Sequence, residues 1–394
     1  MSATAQKADV VTFGCRLNMV DSEELARQHE GARDTIIVNT CAVTNEATRQ
    51  ARQTIRRLHR ERPQAEIVVA GCAARIDPQG FAAIDGVTRV ISEQQPNRAA
   101  AAEEGTRGFL AVQNGCDHSC TFCIIPLGRG ASRSAPPREI VTQARALVEA
   151  GKQEIVLTGV DLTSYDADGM KLGGLVRLLL RELQQPSRLR LSSIDCIEAD
   201  DELVVALAEE ERLCPHLHLS LQAGDDLTLK RMKRRHLRDD AIRFCETLRR
   251  ARPDIVFGAD FIAGFPTETE EMFARTLALV AECGLTHLHV FPFSPRPGTP
   301  AERMPQVPRE IAKERAARLR NAGEAALARH LDAQGGKTLR LLTERGGMAR
   351  AADFTLARTP DVAPGRMIDA LVTGHDGRAL EIDSQRVHMV SNAS

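Results

Sequence analysis

The 394-residue chain contains no tryptophan and a single tyrosine. Extensive stacking of nucleic-acid bases on indole rings is therefore excluded. The chain also lacks a surplus of either charge: 52 Lys and Arg against 53 Asp and Glu leave a formal net charge of -1. That balance excludes a globally positive field, so a nucleic-acid surface must be a local basic patch. Met1 to Val11 contain no apolar signal-like core, and no stretch approaches the length of a membrane span. The expectation is a cytoplasmic protein with no membrane partner. Thiols stay reduced in the cytosol, so the ten cysteines are not a disulfide framework. Clustered cysteines there point to metal binding or catalysis. What the chain does have is a 43% hydrophobic content, enough to bury a sizeable core, and length for two to three domains.

Three segments emerge. Residues 1–100 alternate strand and helix: Asp9 to Gly14, Ser22 to Glu30, Thr35 to Asn39, Glu46 to Arg62, Glu66 to Ala70. Continuous apolar runs such as Ile36-Ile37-Val38 and Ile67-Val68-Val69 suit strands buried on both faces of a parallel sheet, giving an open α/β domain. Glu93 to Arg107 reads as a link. Residues 108–332 offer roughly six strand candidates, at 109–113, 154–158, 189–195, 216–222, 255–263 and 287–292, with helices such as Pro137–Ala150 and Glu268–Cys283 between them. Right-handed βα units curl towards a barrel, and six units leave it incomplete. A basic helix, Pro308 to Leu331, closes this segment. Residues 333–394 show short apolar runs between turn signals, among them Phe354-Thr355-Leu356, and read as a small all-β barrel.

Cys116, Cys120 and Cys123 form a CxxxCxxC spacing. Three thiolates this close cannot face one way from a regular strand, but a loop can wrap them around one face of an iron–sulfur cube. Three ligands leave one iron open to a substrate or cofactor. The loop follows the first barrel strand, at the carboxyl edge where parallel α/β sheets hold their active sites. Structural zinc takes four ligands, and no fourth Cys or His stands at a suitable spacing, although His118 is near. Cys15, Cys41 and Cys72 each follow a predicted strand, so the carboxyl ends of parallel strands bring them to one edge. Gly14 and Gly71 allow close backbone approach. The alternative, three ordinary core thiols, does not account for the same placement three times. Cys196, Cys214, Cys245 and Cys283 show no ligand spacing and read as core thiols.

The CxxxCxxC loop at the top of an incomplete parallel barrel resembles the radical S-adenosylmethionine superfamily. Joined to three N-terminal cysteines and a small β domain, the whole chain resembles its methylthiotransferase family. The motifs are TFGCRLNMVDSE (Thr12 to Glu23), VNTCAVTNEA (Val38 to Ala47), AGCAA (Ala70 to Ala74), QNGCDHSCTFCIIPLGRGASRS (Gln113 to Ser134), LTGVDLTSY (Leu157 to Tyr165), HLHLSLQAGDDLTLKRMKRRH (His216 to His236), DFIAGFPTET (Asp260 to Thr269) and HVFPFSPRPGTPAERM (His289 to Met304). The resemblance implies two [4Fe-4S] clusters, a radical-generating one on Cys116, Cys120 and Cys123 and an auxiliary one on Cys15, Cys41 and Cys72. It also implies S-adenosylmethionine as cofactor, a reductant such as flavodoxin or ferredoxin, and a tRNA substrate. Phe122 would pack near the cofactor adenine, and Gly159, Gln222 and Asp260 would contact the cofactor. The C-terminal segment resembles, more weakly, the small RNA-binding TRAM barrel of the family.

Family members modify adenosine 37 of tRNA bearing an isopentenyl or a threonylcarbamoyl group, or a ribosomal-protein aspartate. Gly14-Cys15-Arg16-Leu17-Asn18 is most similar to the threonylcarbamoyl branch, and from its charge Arg16 is expected to meet the threonyl carboxylate. Expected tRNA-backbone contacts are Arg49, Arg52, Arg56, Arg57 and Arg60 on one helix, Lys230 to Arg235, and Arg129 with Arg133. His216 and His218 are expected to pack inside the barrel. Leu127 departs from the Tyr of many relatives, and the C-terminal domain carries few basic residues. A non-catalytic iron–sulfur RNA-binding protein is the reading from another class; the intact CxxxCxxC motif argues against it.

Overall fold

The continuous apolar runs of the first segment form the centre of a parallel sheet. In the computed structural model, which describes residues 8–31, 34–93, 100–102, 105–184 and 188–390, this sheet has the order β1 (Asp9–Thr12), β2 (Thr35–Thr40), β3 (Glu66–Gly71), β4 (Val87–Val90). Ile36, Ile37 and Val38 on β2 are all but inaccessible, because helices cover both faces. On one side lies α1 (Arg16–Gln28), which buries Leu17, Val20 and Leu25. The other helix, α2 (Asn45–Glu61), starts where the Thr44 side chain accepts the Ala47 N–H at 3.1 Å. This N-cap satisfies a donor that the first turn leaves open. Ala51 and Ile55 form the buried stripe of α2, and Arg49, Arg56, Arg57 and Arg60 are exposed.

The next segment builds two sheets that together make the incomplete barrel. One orders as β8 (Arg188–Leu191), β7 (Glu154–Thr158), β6 (Gly108–Ala111), β5 (Ala100–Ala102), the other as β9 (His216–Gln222), β10 (Val256–Ala263), β11 (Leu285–Pro292). Isolated parallel bridges at Leu189–Leu213 and Ile194–Leu219 join them. Six parallel strands result, matching the expected six units, and no pairing between β11 and β6 closes the ring among the described residues. One expectation is corrected: the link at Glu93 to Arg107 contains β5, which pairs antiparallel with β6.

A helix of 24 residues, Arg309–Asp332, leads to the last unit. There β12 (Thr338–Glu344), β13 (Met348–Ala351), β14 (Leu356–Arg358), β15 (Met367–His375) and β16 (Leu380–Met389) close into a barrel. Phe354, expected within a strand, instead sits in the bend before β14 with a left-handed φ of 75°, and its ring leaves this barrel for the central one.

Candidate active site

The CxxxCxxC loop spans the carboxyl end of β6 and contains no regular structure from Gly115 to Ile124 beyond one turn. Irregular backbone lets N–H groups turn towards sulfur: His118 N–H reaches Cys116 Sγ at 3.4 Å and Ile125 N–H reaches Cys123 Sγ at 3.4 Å. Arg234 Nη1 lies 3.7 Å from Cys120 Sγ. Burial pushes the Cys116 thiol up to about 12 and that of Cys123 to about 11, and the like charges of the neighbouring thiolates add to both. Three neighbouring sulfurs, those of Cys116 and Cys123 desolvated, with N–H donors around them fit a multivalent iron–sulfur centre. His118 stands within 4.8 Å of Cys116 and Asp161 as a ligand group, but that group does not include Cys120 or Cys123. The His118 Nε2 pairs with Asp161 at 2.6 Å and Glu198 at 3.3 Å.

The second trio converges as the parallel strands require. Cys41 follows β2 directly, Cys72 follows β3, and Cys15 precedes α1. Cys41 and Cys72 are buried, while Cys15 is exposed. Burial lifts the Cys41 thiol to about 11, and the charges of Cys15 and Cys72 raise it further. Gly14 has a φ of 101°, and a Cβ there would stand 2.6 Å from Cys41 Sγ. The backbone thus passes as close to the thiolates as a glycine allows. These residues also fit an iron–sulfur group with three protein ligands.

Two buried arginines tie the trios together. Arg129, at the end of the short helix Ile125–Arg129, is 2% exposed. Its Nε donates to Cys72 Sγ at 3.0 Å, its Nη1 lies 2.7 Å from Asp21 Oδ2, and its Nη2 donates to Asn18. Burial would lower this guanidinium, but the Asp21 and Cys72 charges outweigh it and raise it. Arg296, also buried, donates to Val43 O and Asn45 Oδ1 and feels both the Cys41 and the Cys123 thiolates. It therefore stands between the two trios.

Comparison with known proteins accords with this geometry. A family model for the radical SAM superfamily matches residues 110–280, and one for uncharacterized protein family UPF0004 matches residues 7–92. The threonylcarbamoyladenosine tRNA methylthiotransferase MtaB of Rickettsia prowazekii is 43% identical over 379 residues, covering 88% of this chain and 90% of the relative. The protein of the same name from Thermotoga maritima is 35% identical, over 85% and 86% of the two chains. A tRNA-2-methylthio-N(6)-dimethylallyladenosine synthase of Cereibacter sphaeroides is 34% identical, over 95% and 98%. The chain belongs to the methylthiotransferase family. A solved radical S-adenosylmethionine methyltransferase, TsrM from Kitasatospora setae, shares the fold, with a TM-score of 0.54 at 15% identity over 68% of this chain and 66% of that one.

In this methylthiotransferase the other expected site residues line the same barrel. Phe122 packs edge-on to Phe265, ring centroids 6.5 Å apart. Gly159 adjoins Gln113, whose Oε1 accepts from Val160 N and Asp161 N at 3.0 and 2.9 Å; a Cβ at Gly159 would come within 2.8 Å of it. Gln222, at the end of β9, has a φ of 69° and follows an irregularity in the β9–β10 register. A strained non-glycine residue of this kind is common at functional sites. Asp260 Oδ1 accepts from His218 at 3.0 Å and His289 at 3.2 Å. Burial would raise this carboxyl, but those histidines hold it well below the usual carboxylate range. His216 stacks on Phe354, as a packing role requires, whereas His218 is spent on Asp260.

Arg16 points into the barrel, its guanidinium carbon 5.7 Å from the Phe109 ring centre and 5.8 Å from that of Phe354. Burial, then Arg107 and Arg190, hold it down near 10.

Several expected RNA contacts are corrected. Arg129 is buried on Cys72 and faces no solvent. Arg133 donates to Arg129 O and Ala131 O. Arg234 is held by Asp195 at 2.5 Å and Ser220 O at 2.7 Å. Arg52 lies 4.4 Å from the Phe81 ring centre and pairs with Asp77. Arg49, Arg56, Arg57 and Arg60 remain exposed on one helix, and Lys230, Lys233 and Arg235 are exposed as well, Arg235 while paired with Glu198. Cys196, Cys214, Cys245 and Cys283 are buried, as core thiols should be. The charge of Arg129 is plain in the sequence, but nothing local marks Asp21, Asn18 and Cys72 as its partners.

Proposed function

We propose that this methylthiotransferase attaches a methylthio group to C2 of N6-threonylcarbamoyladenosine at position 37 of tRNA. The observation that carries the reading is the pair of three-cysteine sites linked by Arg129, which donates to Cys72, and by Arg296, which feels both Cys41 and Cys123. The names of the relatives from Rickettsia prowazekii and Thermotoga maritima support the substrate. When bound on the two trios, [4Fe-4S] clusters supply one-electron reduction of S-adenosylmethionine at one centre and sulfur at the other.

The chain's own residues have separate tasks. Cys116, Cys120 and Cys123 would hold one cluster, three ligands to its four irons, and Cys15, Cys41 and Cys72 would hold the other. Phe122 would pack beside the cofactor adenine, and Gly159, Gln222 and Asp260 would contact the cofactor. Asp260 stays ionised at neutral pH and can accept a hydroxyl hydrogen bond.

The assignment divides the chain at 1–100, 108–332 and 333–394. The last unit would act as a TRAM-like module on tRNA, together with the exposed arginines of α2. A flavodoxin or ferredoxin would supply electrons in the cytoplasm. Among the described residues no helix is long and apolar enough to cross a membrane. Mass spectrometry of tRNA nucleosides from a deletion strain tests the substrate. Loss of the 2-methylthio form with accumulation of threonylcarbamoyladenosine is expected. Loss of only the isopentenyl-type methylthio nucleoside would refute the substrate assignment.

A further inference from the structure

Inside the central barrel, cations surround an aromatic ring that belongs to another part of the chain. The guanidinium carbons of Arg107, Arg190 and Arg350 lie 5.7, 5.1 and 4.3 Å from the centre of the Phe354 ring, and Arg16 lies 5.8 Å from it. The anions nearby are already engaged. Glu154 pairs with Arg188 at 3.0 Å and Arg190 at 2.8 Å, and Glu344 with Arg107 at 3.0 Å and Arg350 at 3.1 Å. Arg16 has no hydrogen bond or ion pair among the described residues; its recorded contacts are the faces of Phe109 and Phe354. Further donors are unspent: Arg190 Nη1, on a side chain 1% exposed, has no partner, and neither has the single N–H of the buried His216, which burial keeps neutral.

Burying unpaired cationic donors is costly unless an anion meets them. A planar guanidinium fork matches a carboxylate. Arg16 also follows Cys15 directly, so a group held by its guanidinium is tethered beside the sulfur-presenting trio. We propose that Arg16, with the unspent donors around Phe354, binds the carboxylate of the threonyl group on the substrate base, and that Phe354 of the C-terminal barrel forms the floor of that pocket. This rests on the substrate reading above and deepens it. The C-terminal barrel then shapes base recognition itself, besides any contact with the tRNA backbone. Arg16 thereby becomes a specificity-determining residue, since an apolar isopentenyl tail offers these cations no charge.

The test uses reconstituted holoenzyme and two anticodon stem-loops, one carrying threonylcarbamoyladenosine as the free acid and one as its methyl ester. Wild type should bind and turn over the acid roughly 10- to 100-fold better, the range a charge-assisted pair supplies. R16Q should lose that preference by weakening the acid alone, and R16K should recover part of it. Iron content and melting temperature report whether R16Q folds; if it does not, the wild-type acid-to-ester ratio decides. A ratio near one in wild type, or one unchanged in R16Q, overturns the pocket. So does weakened binding of S-adenosylmethionine in R16Q with acid and ester still distinguished, because the anion would then be the cofactor's. Wild type that methylthiolates neither stem-loop overturns the substrate reading instead.

Discussion

Replacing Arg129 by methionine removes the cation that joins the CxxxCxxC loop to the N-terminal trio. The guanidinium is buried, donates to Cys72 at 3.0 Å and to Asn18, and forms an ion pair with Asp21 at 2.7 Å. Removing one partner of a buried ion pair costs about 3–5 kcal/mol. The Asp21 side chain keeps 12% of its exposure, so water relieves part of the stranded charge and the lower end, about 3 kcal/mol, is expected. At about 2–4 °C per kcal/mol for a unit of this size, the first melting transition of the apoprotein should fall by roughly 6–12 °C. D21N in the R129M background should recover part of this loss, because no carboxylate is then stranded. The auxiliary cluster should also become harder to reduce. An N–H···S bond and a nearby positive charge favour its more negative reduced form, and both are gone. Calorimetry of the four apoproteins of the cycle and a redox titration monitored by electron paramagnetic resonance would read both effects. Stability within about 1 kcal/mol of wild type, no coupling between Asp21 and Arg129, and an unmoved auxiliary potential would together refute this account of the interface.

Other expectations follow from neighbouring residues. Alanine at Cys15, Cys41 and Cys72 together should lower iron from about eight to about four per chain and abolish methylthiolation while cleavage of S-adenosylmethionine persists; an unchanged iron assay would contradict the trio. Gly71→Ala puts a Cβ 2.3 Å from Thr40 O at a φ of 92°, so the Cys72 turn must shift, and the variant should lose auxiliary iron selectively. Cys41, Cys116 and Cys123 hold their protons up to about 11, 12 and 11, and iron must displace those protons. Reconstitution should therefore strengthen as pH rises and weaken as it falls, with proton release on loading visible in weakly buffered solution. Burial would raise the Glu154 carboxyl, but Arg190 and Arg188 outweigh it and hold it near 2. Its stabilisation is present above the ordinary carboxylate range and lost as pH falls from about 4.5 towards 2. E154Q should show a flatter acid-unfolding curve across that window, and identical curves would remove Glu154 from the acid sensitivity.

The strands and the cysteines were legible in the sequence because their signals are local. Ile36-Ile37-Val38 and Ile67-Val68-Val69 can only be buried runs, and a cysteine after such a run is carried to the sheet edge by the parallel topology. Segments with little apolar pattern were not legible. Met348–Ala351 forms a strand on two small buried residues, Ala349 and Ala351, and Ala100–Ala102 is a strand inside what reads as a link. Arginines were read least well, for a physical reason. A guanidinium on a surface and one on a buried thiolate look alike in sequence, and the choice depends on which distant segment arrives beside it. Cys72 lies 57 positions from Arg129, Asn18 lies 111 positions from it, and Val43 lies 253 positions from Arg296. Desolvating a cation is tolerable only where such a partner waits. Basic residues next to a cluster loop therefore carry two readings, phosphate contact or interface brace, and in this chain Arg129, Arg234 and Arg296 are braces. Of the basic stretches singled out in the sequence, the side chains left exposed are Arg49, Arg56, Arg57 and Arg60 on α2 with Lys230, Lys233 and Arg235, so a phosphate contact has to be sought among them.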